Sequence, residues 1–197
     1  MAQKSIAGEY QLQGAMEMAS VFLLKPEGEF QFYLSYGALD RYGSGKWKLQ
    51  NDKVVFNSAD KPEHDFALLE SKTVSGDDIT VQITEKNRNL LPYVFASLQK
   101  ENKESWQPSS GDGLVQFPKQ EIREISLQFE FCSEKISTFA GVNKKHNYFS
   151  FRFEPWIAEV FFNDFDLKTG DDGLTGGHPL MKGNQFHYAR LQALKSG

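Results

Sequence analysis

Cysteine is nearly absent from the sequence. Cys132 stands alone, so no disulfide can form within the chain, and a lone thiol decides nothing about the redox compartment. Long apolar runs are missing as well. No window approaches the roughly 18 continuous apolar residues of a membrane-spanning helix. Met1-Ala2-Gln3-Lys4-Ser5-Ile6 lacks the apolar core of a secretory signal, so the expectation is either a cytoplasmic protein or a trimmed mature form with a start Met added. Basic charge is scarce. The net charge is −4, and the densest basic stretch, Asn143-Lys144-Lys145-His146, reads as a solvated turn, so no nucleic-acid partner is expected.

Helical periodicity is hardly present. The best candidate, residues 188–195, fits a strand end equally well. Catalytic signatures are absent too. There is no Gly-x-Ser-x-Gly. Gly43-Ser44-Gly45-Lys46 echoes a phosphate loop, but Asp40 stands where the upstream Gly belongs and Trp47 follows the Lys, so a hairpin turn is the better reading. Cys132 has no cationic neighbour before Lys135 and reads as a structural thiol. No catalytic constellation is found, and the expectation is a non-enzymatic protein.

What the chain has is aromatic residues, 17 Phe, 7 Tyr and 3 Trp, which suit a pleated sheet. Alternation of period two is correspondingly strong. Phe30, Phe32, Leu34 and Tyr36 face one way and Gln31, Tyr33 and Ser35 the other. Trp47 and Leu49 alternate with Lys46, Lys48 and Gln50, and Lys53-Val54-Val55-Phe56 follows a turn at Asn51-Asp52. Pro26-Glu27-Gly28 is a turn signal because Pro presets φ and Gly accepts positive φ. Further on, Ile79, Val81 and Ile83, then Ile125, Leu127, Phe129 and Phe131, then Phe149, Phe151 and Phe153 repeat the pattern.

Two stretches resemble known families. Gly8-Glu9-Tyr10-Gln11-Leu12-Gln13-Gly14, Glu17-Met18-Ala19-Ser20, Tyr36-Gly37-Ala38-Leu39-Asp40 and Gly45-Lys46-Trp47 resemble a group of bacterial exported proteins of uncharacterised role, which begin with a lipocalin-like strand series. Residues 79–84, 91–98 and 113–117 resemble the opening strands of transthyretin-like and carboxypeptidase-regulatory-like sandwiches. The first resemblance implies a periplasmic or secreted location for a trimmed mature form, and neither brings an activity or a catalytic residue.

The expected fold is therefore all-β: a lipocalin-like β-barrel or meander (residues 1–77), a β-sandwich module (78–157), and C-terminal strands (158–197) that return to complete the first sheet. A single continuous sandwich is the alternative. For function, Tyr36, Asp40, Arg41, Tyr42 and Trp47 gather aromatic faces, a carboxylate and a guanidinium around a Gly-rich turn and are the candidate ligand site. A local ion pair beside a packed core explains the same residues. Asp164, Asp166, Asp171 and Asp172 form an acidic stretch that reads as a solvated hairpin turn, with a calcium loop as the alternative. Its register fails the EF-hand, because Lys168 and Thr169 fall at positions 5 and 6 counted from Asp164. His178 and His187 could meet across a final hairpin. The expected partner is a small apolar or amphipathic molecule, with an open face at Gln31, Tyr33 and Ser35 lining its cavity, or alternatively a protein that engages sheet edges.

Overall fold

The structure is a computed structural model, and it describes residues 6–37 and 39–191. Met1 to Ser5, residues 192–195 of the helical candidate, and Ala38 lie outside the described residues. Almost all regular structure is strand. Five strands lead: β1 (Gly8–Leu12), β2 (Met18–Leu24), β3 (Glu29–Tyr36), β4 (Leu39–Gln50) and β5 (Lys53–Asn57). Eight follow: β6 (Phe66–Lys72), β7 (Ile79–Thr84), β8 (Val94–Ser97), β9 (Gln107–Pro108), β10 (Leu114–Phe117), β11 (Glu124–Phe129), β12 (Ser137–Ala140) and β13 (Tyr148–Phe153). Three close the chain: β14 (Phe165–Thr169), β15 (Gly173–Gly176) and β16 (Phe186–Arg190).

The chain divides into two compact units. One runs to Lys61 and resumes at Ala158; the other is Pro62–Ile157. The first unit is a closed antiparallel barrel of eight strands in the order β1-β16-β15-β14-β5-β4-β3-β2. Closure rests on β16, whose Arg190 and Tyr188 pair with Tyr10 and Leu12. A closed barrel leaves no free sheet edge. Strand alternation sends Phe22, Phe30, Phe32, Phe56 and Tyr188 inward, all essentially buried. Each such ring is worth roughly 1.5–3 kcal/mol of burial.

The second unit is two four-stranded sheets, β10-β7-β13-β6 and β12-β11-β8-β9, packed around one core. Ile79, Val81, Ile83, Phe149 and Phe151 from the first sheet share a buried cluster with Val94, Ala96, Ile125 and Leu127 from the second. β7 and β13 run parallel, with Thr84 beside Arg152 at their ends. The two ends of this unit are stitched together. Trp156 Nε1 donates to the His64 carbonyl at 2.9 Å, and Lys135 Nζ donates to Asp65 Oδ1 at 3.0 Å and to the Trp156 and Ile157 carbonyls.

Two expectations need correction. Gly43-Ser44-Gly45 is no turn but lies within β4. A Cβ on Gly43 would lie 2.6 Å from the Val160 carbonyl oxygen, and one on Gly45 would lie 2.1 Å from that of Asn57. These glycines admit close backbone approach inside a strand. Residues 186–190 are strand, one of the two readings the sequence allowed there. The first boundary falls at Lys61 and not at residue 77, because β6 pairs with β13 in the second unit. β6 had too few alternating residues to reveal its partner.

Candidate functional site

Of the Tyr36–Trp47 set, Asp40 and Tyr42 share the outer face of β4, and the other three do not join them there. On β4 the pleat alternates, so Arg41 points into the barrel while Asp40 and Tyr42 point out. Arg41 is buried and its Nε donates to the Ala158 carbonyl at 2.9 Å. Tyr36 is exposed beyond the rim. Trp47 is half-buried and donates through Nε1 to the Lys25 carbonyl at 3.0 Å. The open face at Gln31, Tyr33 and Ser35 lies outside the barrel, so it lines no interior cavity.

The barrel interior is occupied by aromatic side chains. The Phe22 ring lies 4.9 Å from those of Phe32 and Phe56 and 5.3 Å from Tyr188. Phe162, from the segment re-entering the unit, meets Phe30 at 5.0 Å. Burial raises the Tyr188 hydroxyl well above its ordinary pKa. At this level the interior is packed core.

Inside the same barrel Ser20 and His178, both buried, lie 3.1 Å apart. The geometry resembles a nucleophile–base pair, but the tautomer opposes that chemistry. The Leu180 backbone N–H donates to His178 Nδ1 at 3.1 Å. Nδ1 must therefore be unprotonated, so Nε2 carries the proton and donates to Ser20 Oγ. A histidine oriented in this way cannot accept the serine proton. Burial also lowers the His178 pKa to about 4, which keeps the ring neutral.

The acidic stretch is dispersed. Asp164 exchanges hydrogen bonds with the Asn57 amide. Asp166 pairs with Lys53 at 2.9 Å and Asp172 with His187 at 3.4 Å. Asp171 sits with Asp172 in the turn between β14 and β15. Among the described residues no three His, Cys, Asp or Glu side chains gather where they could hold a metal ion. Asp164, Asp166 and Asp172 each engage a different partner instead of converging. His178 and His187 do not meet either, since one is buried in the barrel and the other faces Asp172.

A different site emerges in the second unit. An open cleft of about 680 Å³ is lined by Thr84, Glu85, Lys86, Leu90, Arg152, Phe153, Glu154, Pro155 and Ile157. Its construction follows from the parallel pairing of β7 and β13, which brings the C-terminal ends of both strands to one edge. Leu90, Phe153, Pro155 and Ile157 supply an apolar floor, and Lys86 and Arg152 are exposed at the rim. Glu85 is engaged locally, its Oε1 accepting from the Lys86 N–H at 2.7 Å, and Glu154 lies 3.9 Å from Arg152. The lysine makes no ion pair among the described residues. Nothing in the sequence flagged this cleft, because alternation shows that two segments are strands and not that they lie side by side.

No family model matches this chain, and neither does any curated protein or solved structure. Among the described residues, no helix is long and apolar enough to cross a membrane.

Proposed function

We propose that the chain is a non-enzymatic binding protein whose ligand, a small amphipathic molecule with an acidic head group, lies in the cleft of the second unit. The observation that carries this reading is the cleft itself, about 680 Å³ with an apolar floor and two cationic side chains at its rim. Ligand sites are typically concavities of about 300–1,000 Å³, mostly apolar and carrying a few placed polar groups. The packed aromatic rings argue against the barrel as the container. An alkyl chain would cover Leu90, Pro155 and Ile157 while its head group meets Arg152 and Lys86.

The test is calorimetric titration of the full chain with dodecanoate below its micellar concentration. Saturable binding is expected, weakened about tenfold or more in the variant carrying Lys86→Glu and Arg152→Glu. Binding unaffected by that double change would overturn the reading.

A second reading, a protein-interaction role through a sheet edge, is favoured by β6. This strand ends its sheet, and its Leu68 and Leu69 are 39% and 52% exposed. An edge strand with exposed apolar residues can accept a strand from a partner. Such pairing would be lost on Leu69→Lys while dodecanoate binding persisted.

A further inference from the structure

The outer face of β3 and β4 carries four cross-strand pairs in register: Glu29 with Lys46, Gln31 with Ser44, Tyr33 with Tyr42, and Ser35 with Asp40. The stripe is about 20 Å long at the usual rise per residue. Its two tyrosines are 45% and 44% exposed and stand directly opposite one another. The hydroxyls of Ser35 and Tyr33 hold the Asp40 carboxylate and lower its pKa, with Tyr33 donating at 2.9 Å. The Tyr33 ring is therefore fixed in place, and Asp40 is kept as a charged acceptor.

We propose that this stripe is a binding platform for a neutral oligosaccharide. A sugar ring presents a face of C–H bonds and an edge of hydroxyls, and its recognition requires an aromatic surface with donors and acceptors beside it. The negative face of an aromatic ring suits the first requirement. Gln31, Ser44 and Asp40 meet the second, offering an amide, a hydroxyl and a carboxylate.

The charge pattern selects among occupants. Lys46 and Lys25 both pair with Glu29, at 2.8 and 3.7 Å, and Asp40 supplies a second carboxylate, so the stripe and its flank hold no net positive charge for a polyanion. No aliphatic side chain interrupts the four pairs, whereas the core of a protein–protein patch is apolar and depleted of charge. A neutral polyhydroxylated ligand fits both facts. A 580 Å³ cleft, lined in part by Glu29, Gln31, Ser44 and Lys46, continues the stripe at one end. This site is independent of the cleft in the second unit.

The experiment is native affinity electrophoresis of the full chain in gels cast with a soluble neutral β-glucan or a neutral mannan, with heparin as the charged control. Retardation by at least one neutral polymer is expected. Replacing both rings, Tyr33→Ala with Tyr42→Ala, should raise the apparent dissociation constant about tenfold. Tyr42→Phe, which keeps the ring, should retain the retardation. Lys86→Glu with Arg152→Glu should leave it unchanged, which separates this site from the other. Unchanged thermal melting of each variant confirms that the fold is intact. Absence of retardation in both neutral polymers, retardation by heparin alone, or equal retardation of the double-alanine variant would overturn the proposal.

Discussion

His178 donates its Nε2 proton to Ser20 inside the barrel, because the Leu180 N–H has already claimed Nδ1. Protonating the ring would place a second N–H against a backbone donor in a buried site. The native pKa of about 4 lies below the ordinary value near 6.5, so in the window between them the unfolded chain takes up a proton that the folded chain refuses. Stability is then present above about pH 6.5 and drains as pH falls towards 4, by up to about 3 kcal/mol. Urea unfolding from pH 7.5 to 4.5 should show this slope, and His178→Gln should flatten it relative to the native chain.

The glycines inside β4 give a second expectation. Gly45→Ala would drive a methyl group into the Asn57 backbone, and overpacking of this kind costs about 1–3 kcal/mol or more. Gly111→Ala is the control, since nothing lies within 4 Å of that position. Thermal melts should separate the two, with the second variant unchanged or slightly stabilised.

The Lys135–Asp65 pair is buried on both sides, with side chains 6% and 3% exposed. Lys135→Met alone leaves an unpaired buried carboxylate and should cost about 3–5 kcal/mol. Adding Asp65→Leu should recover part of that loss. Equilibrium unfolding of the two variants checks the coupling.

If the cleft holds an amphipathic acid, affinity should follow both ends of the ligand. Lengthening the chain from decanoate to dodecanoate should tighten binding about tenfold, from roughly 0.8 kcal/mol per buried methylene. Raising the salt should weaken the head-group contribution, because the rim cations are exposed and screened. Calorimetry at two ionic strengths measures both effects.

The fold was legible in proportion to how local its signals are. Phe30, Phe32 and Leu34 alternate with polar residues and announce β3 without help. The same alternation hides whether the phenylalanine face meets a ligand or other rings, since that depends on Phe56, Phe162 and Tyr188 arriving from distant parts of the chain. Gly43 and Gly45 looked like turn residues because glycine serves turns and close backbone contacts alike. Arg41 and Asp40 are adjacent in sequence, so a local ion pair was easy to imagine, yet the pleat sends them to opposite faces. The cleft in the second unit depends on a parallel pairing between β7 and β13, which no local pattern encodes.

The most direct measurement is amide NMR of the full chain titrated with dodecanoate. A ligand in the cleft should shift Thr84, Glu85, Lys86, Leu90 and the residues from Arg152 to Ile157, with the barrel strands unmoved. Shifts centred instead on the barrel interior, at Phe22, Phe32, Phe56 and Tyr188, would contradict this reading.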